Sequence, residues 1–471
     1  MSKEFPTHTE PTQRVIEVAD AFGLGLDEEN RFIVVNELVV DVNPGDVVYV
    51  TGESGSGKST LLRELADMIE ASGEFGRVLR DWELKIDPEG VVVESVGRST
   101  EEALETLGYA GLNEAFILTR RFHELSDGQK YRFKLAKLID SGADVWVLDE
   151  FCSLLDRVTA KVVAYCMQKA ARRFGKTLLV ATAHDDLLYD LNPNTHIVKK
   201  LGPDAVVNTY TPKPHECSLL RDAVIREAGR TEYKRLAHFH YRGGLPNTTQ
   251  KIYAAYIHGE LAGVIAYTTP HFNLAARNKA LPWLKKMNTR ERLEFINRNI
   301  TRIARVIVAP KFRGIGLGVK LVRETMPLTG KRYVETLAVM ARYNPFFEKA
   351  GMRRVEYQAD PDYEKALRRL EALGFNIELL GSKRHNLSLI EKLTHDQLVE
   401  VRKIILTQFY SPKFRSNLQL ITRVKELDKE ALAKALTNRR LKPVYLIWEN
   451  PKQRPSSPEN RKQGPLASET T

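Results

Sequence analysis

The chain has 471 residues, of which 43% are hydrophobic and 28% are charged, a composition typical of a globular protein. At about 100–200 residues per domain, this length predicts about three domains. No apolar stretch approaches the roughly 20 residues of a membrane-spanning helix, and the first residues form no apolar signal core. The isolated cysteines Cys152, Cys166 and Cys217 show no metal-ligand spacing. These features argue against a membrane-spanning or disulfide-rich secreted protein, and we expect a cytoplasmic one.

The net charge of +11 is unevenly distributed along the chain. Residues 1–210 include 23 basic and 35 acidic residues, a net charge of −12, whereas residues 211–471 include 48 basic and 25 acidic residues, a net charge of +23. A solvated cationic surface would account for a modest excess, but an imbalance of this size favours a polyanionic partner. Nucleic acid fits best, since Lys and Arg supply most non-specific affinity for phosphates.

After a polar segment at 1–12 that we expect to be loose, the first 210 residues alternate between strand and helix patterns. Apolar runs predict strands at 32–35, 38–42, 46–50, 90–94, 144–148, 177–181 and 197–200. Helical patterns lie at 59–70, 100–108, 129–140 and 158–173. This alternation predicts a three-layer α/β fold for residues 13–210.

A glycine loop between the strand at 46–50 and the helix at 59–70 has the composition of a phosphate-binding loop. Its N–H groups would bind the α/β-phosphates of ATP, Lys58 the β/γ-phosphates, and the Ser59 hydroxyl Mg²⁺. The strand at 144–148 leads into Asp149, a predicted Mg²⁺ ligand, and Glu150, the candidate base that polarises the attacking water. The loop residues assigned to ATP are Gly52, Ser54, Gly55, Gly57, Lys58, Ser59 and Thr60.

The order of these motifs resembles the ATP-binding cassette (ABC) ATPase superfamily over residues 13–210. Leu125-Ser-Asp-Gly-Gln129 is similar to the family's Leu-Ser-Gly-Gly-Gln signature, which implies that Ser126, Gly128 and Gln129 bind ATP held by an opposite subunit. The resemblance also implies a switch histidine at His184, a dimer-contact loop containing Asp156, and a head-to-tail homodimer that closes on ATP.

Two departures from the family disfavour a transporter. The family's glutamine loop, which senses Mg²⁺ and couples to membrane domains, has no clear glutamine here, and Glu94 is the nearest candidate. The segment between Lys58 and Ser126 is also shorter than in transporter ATPases, so we expect no membrane subunits. The aromatic residue that stacks on adenine stays open between Phe22 and Phe32.

A different pattern follows a linker at 210–214 that contains two prolines. The sequence predicts a helical stretch at 219–240, a hairpin at 251–267, a helix at 288–299, strands at 303–310 and 333–339, and a helix containing 344–350. A second glycine loop, Arg313-Gly-Ile-Gly-Leu-Gly318, follows the strand at 303–310 and opens a helix. Because antiparallel hairpin strands precede this loop, a dinucleotide-binding fold fits poorly.

This second pattern resembles the Gcn5-related N-acetyltransferase (GNAT) superfamily over residues 215–358. The resemblance implies an α+β acyltransferase domain at 211–358, which a mostly helical basic extension at 359–450 and a disordered tail at 451–471 would follow. It implies acetyl-CoA as cosubstrate, with Asn344 at the pantetheine arm. The residues implied to bind the pyrophosphate of acetyl-CoA are Arg313, Gly314, Gly316 and Gly318.

The sequence leaves the acid and base of acetyl transfer open. Phe347 replaces the family's thiolate-protonating tyrosine, and Tyr343, whose phenol has an ordinary pKa of about 10, is a substitute candidate. Glu335 on the strand at 333–339 is the candidate general base, because the strand at 303–310 has no carboxylate. Packing or a surface role is the alternative for both residues, and direct transfer needs little more than a positioned amine and thioester.

The two halves together favour an ATPase fused to an N-acyltransferase that acts on nucleic acid, either tRNA or DNA. The aromatic and basic run at 238–242 is a candidate for stacking on an exposed base, with the end of a core helix as the alternative. An ATP-regulated acetyltransferase of protein or small-molecule amines is a second hypothesis. An ABC ATPase with a non-catalytic GNAT-like binding domain is a third.

Overall fold

The computed structural model describes residues 2–7, 10, 12–23, 30–240, 244–356, 361–406, 427–437 and 443–453. The chain divides into two compact units. The first unit comprises Met1–Thr269, Thr301–Lys331 and Tyr343–Gly351, and the second comprises Pro270–Ile300, Arg332–Arg342 and Met352–Thr471. The domain boundaries expected from the sequence stay a prediction.

The first 210 residues contain short alternating strands and helices. In chain order these are β1 (Lys3–Thr7), α1 (Gln13–Phe22), β2 (Asn30–Val35), β3 (Val47–Gly52), α2 (Lys58–Ser72), β4 (Val78–Arg80), α3 (Thr100–Tyr109), α4 (Ala115–Leu118), α5 (Asp127–Asp140), β5 (Val145–Leu148), α6 (Arg157–Phe174), β6 (Thr177–Ala181), α7 (Leu188–Leu191), β7 (Thr195–Lys199) and β8 (Ala205–Thr209).

A six-stranded sheet in the order β4-β5-β6-β3-β7-β8 forms the centre of this part. All neighbouring strands are parallel except the antiparallel pair β7 and β8. One apolar cluster packs α2 on one face of the sheet, and another packs α3, α5 and α6 on the other. Because both faces are covered, the strands are continuously apolar, as in the fully buried run Val47–Val50. The three-layer α/β prediction is confirmed.

Three local expectations for this part are wrong. Residues 3–7 are not loose, because β1 pairs antiparallel with β2. Residues 38–42 form no strand, and the run at 90–94 contains a 3₁₀ turn over Val92–Glu94 in place of a strand. The Val92 side chain is fully buried in the apolar cluster, so its apolar character reflects packing and not strand pairing.

The remaining elements continue in chain order. They are α8 (Ser218–Arg221), β9 (Val224–Ala228), α9 (Arg230–Leu236), β10 (Thr249–Ile257), β11 (Glu260–Thr268), α10 (Ala275–Ala280), α11 (Thr289–Asn299), β12 (Ile300–Val308), α12 (Leu317–Leu328), β13 (Tyr333–Ala338), α13 (Phe346–Lys349), β14 (Arg353–Val355), α14 (Pro361–Ala372), α15 (Lys383–Ile390), α16 (His395–Ile404), α17 (Lys429–Leu436) and β15 (Val444–Glu449).

In the first unit, β9, β10, β11 and β12 form consecutive antiparallel pairs. The hairpin of β10 and β11 is confirmed, and its turn residues His258 and Gly259 have positive φ angles of 49° and 79°. The continuous helical stretch expected at 219–240 is wrong, because Val224–Ala228 extends this antiparallel arrangement as β9. Pairing with β10 overrides the local helical pattern.

The second unit contains α10, α11, the antiparallel strands β13, β15 and β14 in that order, and the helices α14 to α17. The strand β15 is a departure from the expected helical extension, and it is stabilised by pairing with both β13 and β14. Residues 454–471 of the expected disordered tail lie outside the described residues. Within the described ranges, no helix has the length and apolar character needed to cross a membrane.

Candidate functional site

The first glycine loop joins β3 to α2 in a conformation that requires glycine. Gly52 and Gly57 have φ angles of 149° and 94°, which are unfavourable for other residues. A Cβ atom on Gly52 would lie 2.0 Å from the carbonyl oxygen of Lys199, and one on Gly57 would lie 2.5 Å from the Val34 side chain. The loop therefore leaves its backbone free of side chains next to the N-terminus of α2, where phosphates bind.

Two of the predicted ATP ligands meet at this loop. The Ser59 hydroxyl donates a hydrogen bond to Oδ1 of Asp149 at 2.9 Å, and Nζ of Lys58 donates to the Glu53 carbonyl oxygen at 2.6 Å. Burial lowers the pKa of Lys58, while the carboxylates of Asp149 and Glu150 oppose this shift. Ser54 and Gly55 are exposed in the loop, and Thr60 is half-buried on α2.

The paired Ser59 hydroxyl and Asp149 carboxylate fit a magnesium ion. Both supply hard oxygen atoms, and Mg²⁺ binds through one or two carboxylates together with phosphates and water. When bound, Mg²⁺ neutralises charge that develops on the phosphates. The chain's own contribution is to bring the end of β5 against the first turn of α2.

Glu150 lies in a tight turn directly after Asp149. Its side chain is exposed, its φ angle is 49°, and its N–H group donates to Oδ1 of Asp149 at 3.0 Å. A non-glycine residue with positive φ is uncommon, and such strain concentrates at functional sites. The turn thus directs an exposed carboxylate away from the buried strand, as a base that polarises water requires.

His184 lies shortly after β6, the strand between β3 and β5 in the sheet. Its N–H group donates to the Thr182 hydroxyl at 3.3 Å, and its carbonyl oxygen accepts from the Tyr49 hydroxyl. Because the carboxyl ends of parallel strands meet at one edge, His184 follows the same sheet edge as the glycine loop and Glu150. Its switch role stays a prediction.

The signature residues lie at the N-terminus of α5. The N–H group of Ser126 donates to Oε1 of Gln129 at 3.0 Å, so the Gln129 side chain caps its own helix. A Cβ atom on Gly128 would lie 3.3 Å from the Leu155 side chain, in tight contact. The role of these residues on ATP stays a prediction.

Asp156 of the dimer-contact loop caps α6. Its carboxylate accepts hydrogen bonds from the N–H groups of Val158 and Thr159 at 3.1 and 3.0 Å and from the Thr159 hydroxyl at 2.6 Å. Burial alone would raise the pKa of Asp156, but these hydrogen bonds lower it. The side chain thus has a structural partner within the chain, and the predicted nucleotide role is untested.

The sequence did not predict one carboxylate that lies near the nucleotide site. Oδ1 of Asp81 accepts a hydrogen bond from the N–H group of Asp149 at 3.4 Å, and burial raises the pKa of Asp81 to about 6. By contrast, Glu94, the candidate for the missing glutamine, is exposed at the end of a 3₁₀ turn. The pairing of β4 with β5 brings Asp81 to the site, and the short run Val78–Arg80 gave too little pattern to reveal that strand.

The second glycine loop leads into α12, and Gly316 precedes this helix with a φ of 97°. The expected pyrophosphate ligand Arg313 is occupied by backbone groups: its Nε donates to the Val308 carbonyl at 2.9 Å and its Nη1 to the Asn113 carbonyl at 2.6 Å. Burial lowers the pKa of this guanidinium. Arg313 therefore binds one carbonyl of the ATPase part, that of Asn113, and one of β12, that of Val308, which does not fit a free anion ligand.

The other glycines of this loop lie close to neighbouring side chains. A Cβ atom on Gly314 would lie 2.8 Å from Sγ of Cys166, and one on Gly318 would lie 3.6 Å from the Phe346 ring. Asn344 and Tyr343 are exposed just before α13, whereas Phe347 is buried. Their predicted roles toward acetyl-CoA are untested. Of the run at 238–242, His238 is exposed, and residues 241 and 242 lie outside the described residues.

Glu335 does not fit the role of a general base. Its side chain and that of Arg277 are each 1% exposed, and Nε and Nη2 of Arg277 lie 2.8 and 2.6 Å from the two carboxylate oxygens. The Tyr445 hydroxyl donates to Oε2 of Glu335 at 2.9 Å, and burial together with this carboxylate raises the pKa of Tyr445. A base must reach its substrate, and this carboxylate is enclosed by partners.

Comparisons with known proteins agree with the nucleotide site. The family described as ABC transporter matches residues 35–153. The cytochrome c biogenesis ATP-binding export protein CcmA 1 of Cupriavidus metallidurans is 30% identical over 202 aligned residues, which cover 37% of this chain and 94% of that protein. The ribosome protection protein VmlR of Bacillus subtilis is 30% identical over 159 residues, which cover 33% of this chain and 27% of that protein. Among solved structures, a dimeric ATP-binding cassette bound to ADP and Pi has a TM-score of 0.32 and 20% identity, over 39% of this chain and 93% of that chain.

The glycine loop, the strand ending at Asp149 and the 30% identity to the CcmA 1 protein, of which the chain covers 94%, define an ATP-binding cassette ATPase. The chain belongs to that family. Membership assigns ATP and Mg²⁺ as ligands and ATP hydrolysis as an activity of the chain.

Proposed function

We propose that the chain is an ATP-dependent N-acyltransferase that acts on nucleic acid, with acetyl-CoA as the acyl donor. The observation that carries this proposal is the contact of the second glycine loop with the ATPase part, through Arg313 and the carbonyl of Asn113, which assigns Arg313 to coupling and not to the pyrophosphate of acetyl-CoA. If ATP binding controls acyl transfer, the second glycine loop must contact the ATPase part, and the bond between Arg313 and Asn113 provides that contact. The proposal rests on the resemblance of 215–358 to GNAT enzymes and on the charge of the chain.

Further contacts within the first unit support coupling of the two activities. The Ser218 hydroxyl and N–H group both donate to the carboxylate of Asp190 at 2.7 Å, and the Tyr165 hydroxyl donates to the His215 carbonyl at 3.4 Å. The residues just after the predicted linker are thus bonded to the ATPase part, in contrast with a freely tethered domain.

The partner is proposed from charge. The net charge of +23 on residues 211–471 favours a polyanion over a neutral substrate. The relatives do not decide the partner, because one is named as an export protein and another as a ribosome protection protein. We further propose that two chains form a homodimer around ATP, without membrane subunits.

A transfer assay tests the proposal. Labelled acetyl-CoA is offered with tRNA, DNA and protein acceptors, with and without ATP, to the wild type and to Lys58→Ala. We expect label to enter nucleic acid in an ATP-dependent manner and to be lost in the variant. Label in protein or small amines alone would support the second hypothesis instead. Filter binding over a salt series provides the second measurement, and no binding to nucleic acid at low salt refutes the proposed partner.

A non-catalytic second domain is the competing function, and specific contacts favour it. Arg313 and Glu335 are both occupied by partners within the chain, and Phe347 stands where the family has a tyrosine. Calorimetric titration with acetyl-CoA separates the two functions. If acetyl-CoA does not bind, both transfer hypotheses fail and the non-catalytic function stands.

A further inference from the structure

The side chain of Tyr49 connects the strand before the phosphate-binding loop to the segment that contains His184. Tyr49 lies on β3 and its side chain is fully buried, yet its hydroxyl donates a hydrogen bond to the carbonyl oxygen of His184. The backbone of Leu187 forms a hydrogen bond with the same phenol. His184 and Leu187 both belong to the short segment between β6 and α7, so one phenol contacts that segment at two points.

The segment that contains His184 is otherwise close to solvent. Asp185 and Asp186 are exposed, and His184 is half-buried. The N–H group of His184 donates to the Thr182 hydroxyl at 3.3 Å, which is a long hydrogen bond. Nε of Arg157 lies 3.2 Å from Oδ2 of Asp186, but both side chains of this ion pair are exposed and such pairs contribute little. The bond from the buried phenol is therefore the contact best suited to fix the His184 backbone.

Two buried residues of the sheet hold Tyr49 in place. In the parallel pairing of β3 with β7, Tyr49 lies opposite His196, and the two rings stack with centroids 4.9 Å apart and planes at 20°. Nε2 of His196 is hydrogen bonded to the Thr51 hydroxyl at 2.8 Å, and both of these side chains are buried. Thr51 directly precedes Gly52 of the phosphate-binding loop. Because buried polar contacts restrict their members to one arrangement, the phenol has a fixed position relative to that loop.

The rings of Tyr49 and His196 are both uncharged at neutral pH. Burial lowers the pKa of His196, and the carboxylate of Asp185 opposes this shift. Burial raises the pKa of Tyr49, and the carboxylate of Asp186 raises it further. The phenol therefore keeps the proton with which it binds the His184 carbonyl, and the imidazole needs no buried counter-ion.

We infer that Tyr49 is a positioning residue for ATP hydrolysis, which holds the backbone of His184 in a fixed place relative to the phosphate-binding loop. The strand β3 leads directly into that loop, so a single strand positions both the loop and the phenol that holds His184. A displacement of about 1 Å in a reacting group can slow a reaction about 10²-fold, so one hydrogen bond at this place should change the rate measurably. The inference rests on the ATPase site and on the predicted role of His184, and not on the proposed acyl transfer.

The test compares the rate of ATP hydrolysis with the affinity for ATP in Tyr49→Phe, which keeps the ring and removes the hydroxyl. Single-turnover hydrolysis of radiolabelled ATP by the full chain gives the rate, and titration with a fluorescent ATP analogue gives the Kd. We expect the rate to fall about three- to tenfold, the effect of one lost hydrogen bond, while the Kd stays within about twofold of the wild type. A variant that merely unfolds would lose both hydrolysis and binding, so this split identifies a positioning role.

The matched control is Tyr253→Phe, which removes another buried hydroxyl that donates to a backbone carbonyl. The Tyr253 side chain is 4% exposed, and its hydroxyl lies 3.1 Å from the carbonyl oxygen of Leu328. This bond joins β10 to the end of α12, and neither element carries a residue of the nucleotide site. We therefore expect Tyr253→Phe to hydrolyse ATP at the wild-type rate.

A double change tests whether Tyr49 acts through His184. We expect His184→Ala to lower the single-turnover rate. Adding Tyr49→Phe to this variant should lower the rate by less than about twofold more, because residues that act together have non-additive effects.

Several results would overturn the inference. One is a rate of Tyr49→Phe within about threefold of the wild type, or a fall that Tyr253→Phe shares. Another is a loss of ATP binding in Tyr49→Phe, which would assign Tyr49 to the fold of the whole site. A third is unchanged hydrolysis in His184→Ala, or an equal effect of Tyr49→Phe with and without the His184 side chain. None of these measurements uses acetyl-CoA or nucleic acid, so failure here and failure of the proposed function are separately visible.

Discussion

Glu335→Gln decides whether Glu335 is a structural anion or a catalytic base. In the variant, the Arg277 guanidinium keeps its bonds to the carbonyls of Phe272 and His271 at 3.1 and 2.6 Å but loses its bidentate carboxylate partner. An uncompensated buried charge of this kind costs about 3–5 kcal/mol in the free energy of unfolding. At roughly 2–4 °C per kcal/mol for a domain of 150–250 residues, we expect the melting temperature of the second unit to fall by roughly 6 °C or more.

Differential scanning calorimetry measures this change, and Glu294→Gln is the control. Glu294 forms an exposed helical ion pair with Arg290, so its loss should cost under about 0.5 kcal/mol. The double change of Arg277→Met with Glu335→Leu should recover most of the stability, since no buried charge is left. A Glu335→Gln variant that melts like the wild type but no longer transfers acetyl groups would refute the interpretation of Glu335 as a structural anion and would support Glu335 as the general base.

Three further changes test the ATPase part and its contact with the second glycine loop. Glu150→Gln should lower ATP hydrolysis roughly 10²–10⁴-fold with ATP binding retained, and unchanged hydrolysis would place the base elsewhere. The hydrogen bond from Lys176 and then that from the Arg77 N–H group hold the pKa of Asp144 below its ordinary value. The ionised Asp144 carboxylate therefore stabilises the fold above the unfolded pKa of about 3.9, and this stabilisation is lost as pH falls through the folded pKa. Urea unfolding at two pH values measures the free energy of unfolding lost on acidification. We expect this loss to be smaller in Asp144→Asn than in the wild type by up to about 1 kcal/mol. Arg313→Ala removes two charged hydrogen bonds worth about 1.5–3 kcal/mol each, and it should destabilise the first unit more than Arg323→Ala, which removes a more exposed bond to the Lys349 carbonyl; equal losses would contradict this account.

The nucleotide site was predictable because each of its motifs is contiguous in sequence, although Ser59 and Asp149 are 90 positions apart. The glycine loop and the strand that ends in Asp149-Glu150 can each be recognised from a short stretch of sequence. The carboxyl ends of parallel strands lie at the same edge of a sheet, so these stretches are expected to lie close together. The long apolar strands and the helices α2, α5 and α6 were predictable for the same reason, because each carries a full period of its own pattern.

What the sequence could not reveal depends on pairing between distant residues. The short run Val78–Arg80 becomes a strand only because β5 is beside it, and only this pairing brings Asp81 to Asp149. Glu335 likewise had the chemistry of a base in the sequence, and its buried partner Arg277 lies 58 positions away. The sequence gives the type of each side chain directly, whereas the partner that a side chain contacts depends on how distant segments pack.

In the second glycine loop, a contact with a distant segment changes the role expected of Arg313. Arg132 of α5 donates from Nε to the Gly128 carbonyl at 3.2 Å and from Nη1 to the Gly111 carbonyl at 2.9 Å, while Arg313 donates to the carbonyl of Asn113, two residues further on. One short backbone segment thus joins the signature turn to the second loop. Burial lowers the pKa of both guanidinium groups, so each depends on these carbonyls in place of water. A movement of the signature turn must therefore carry the second loop with it or break hydrogen bonds to buried cations, each worth about 1.5–3 kcal/mol.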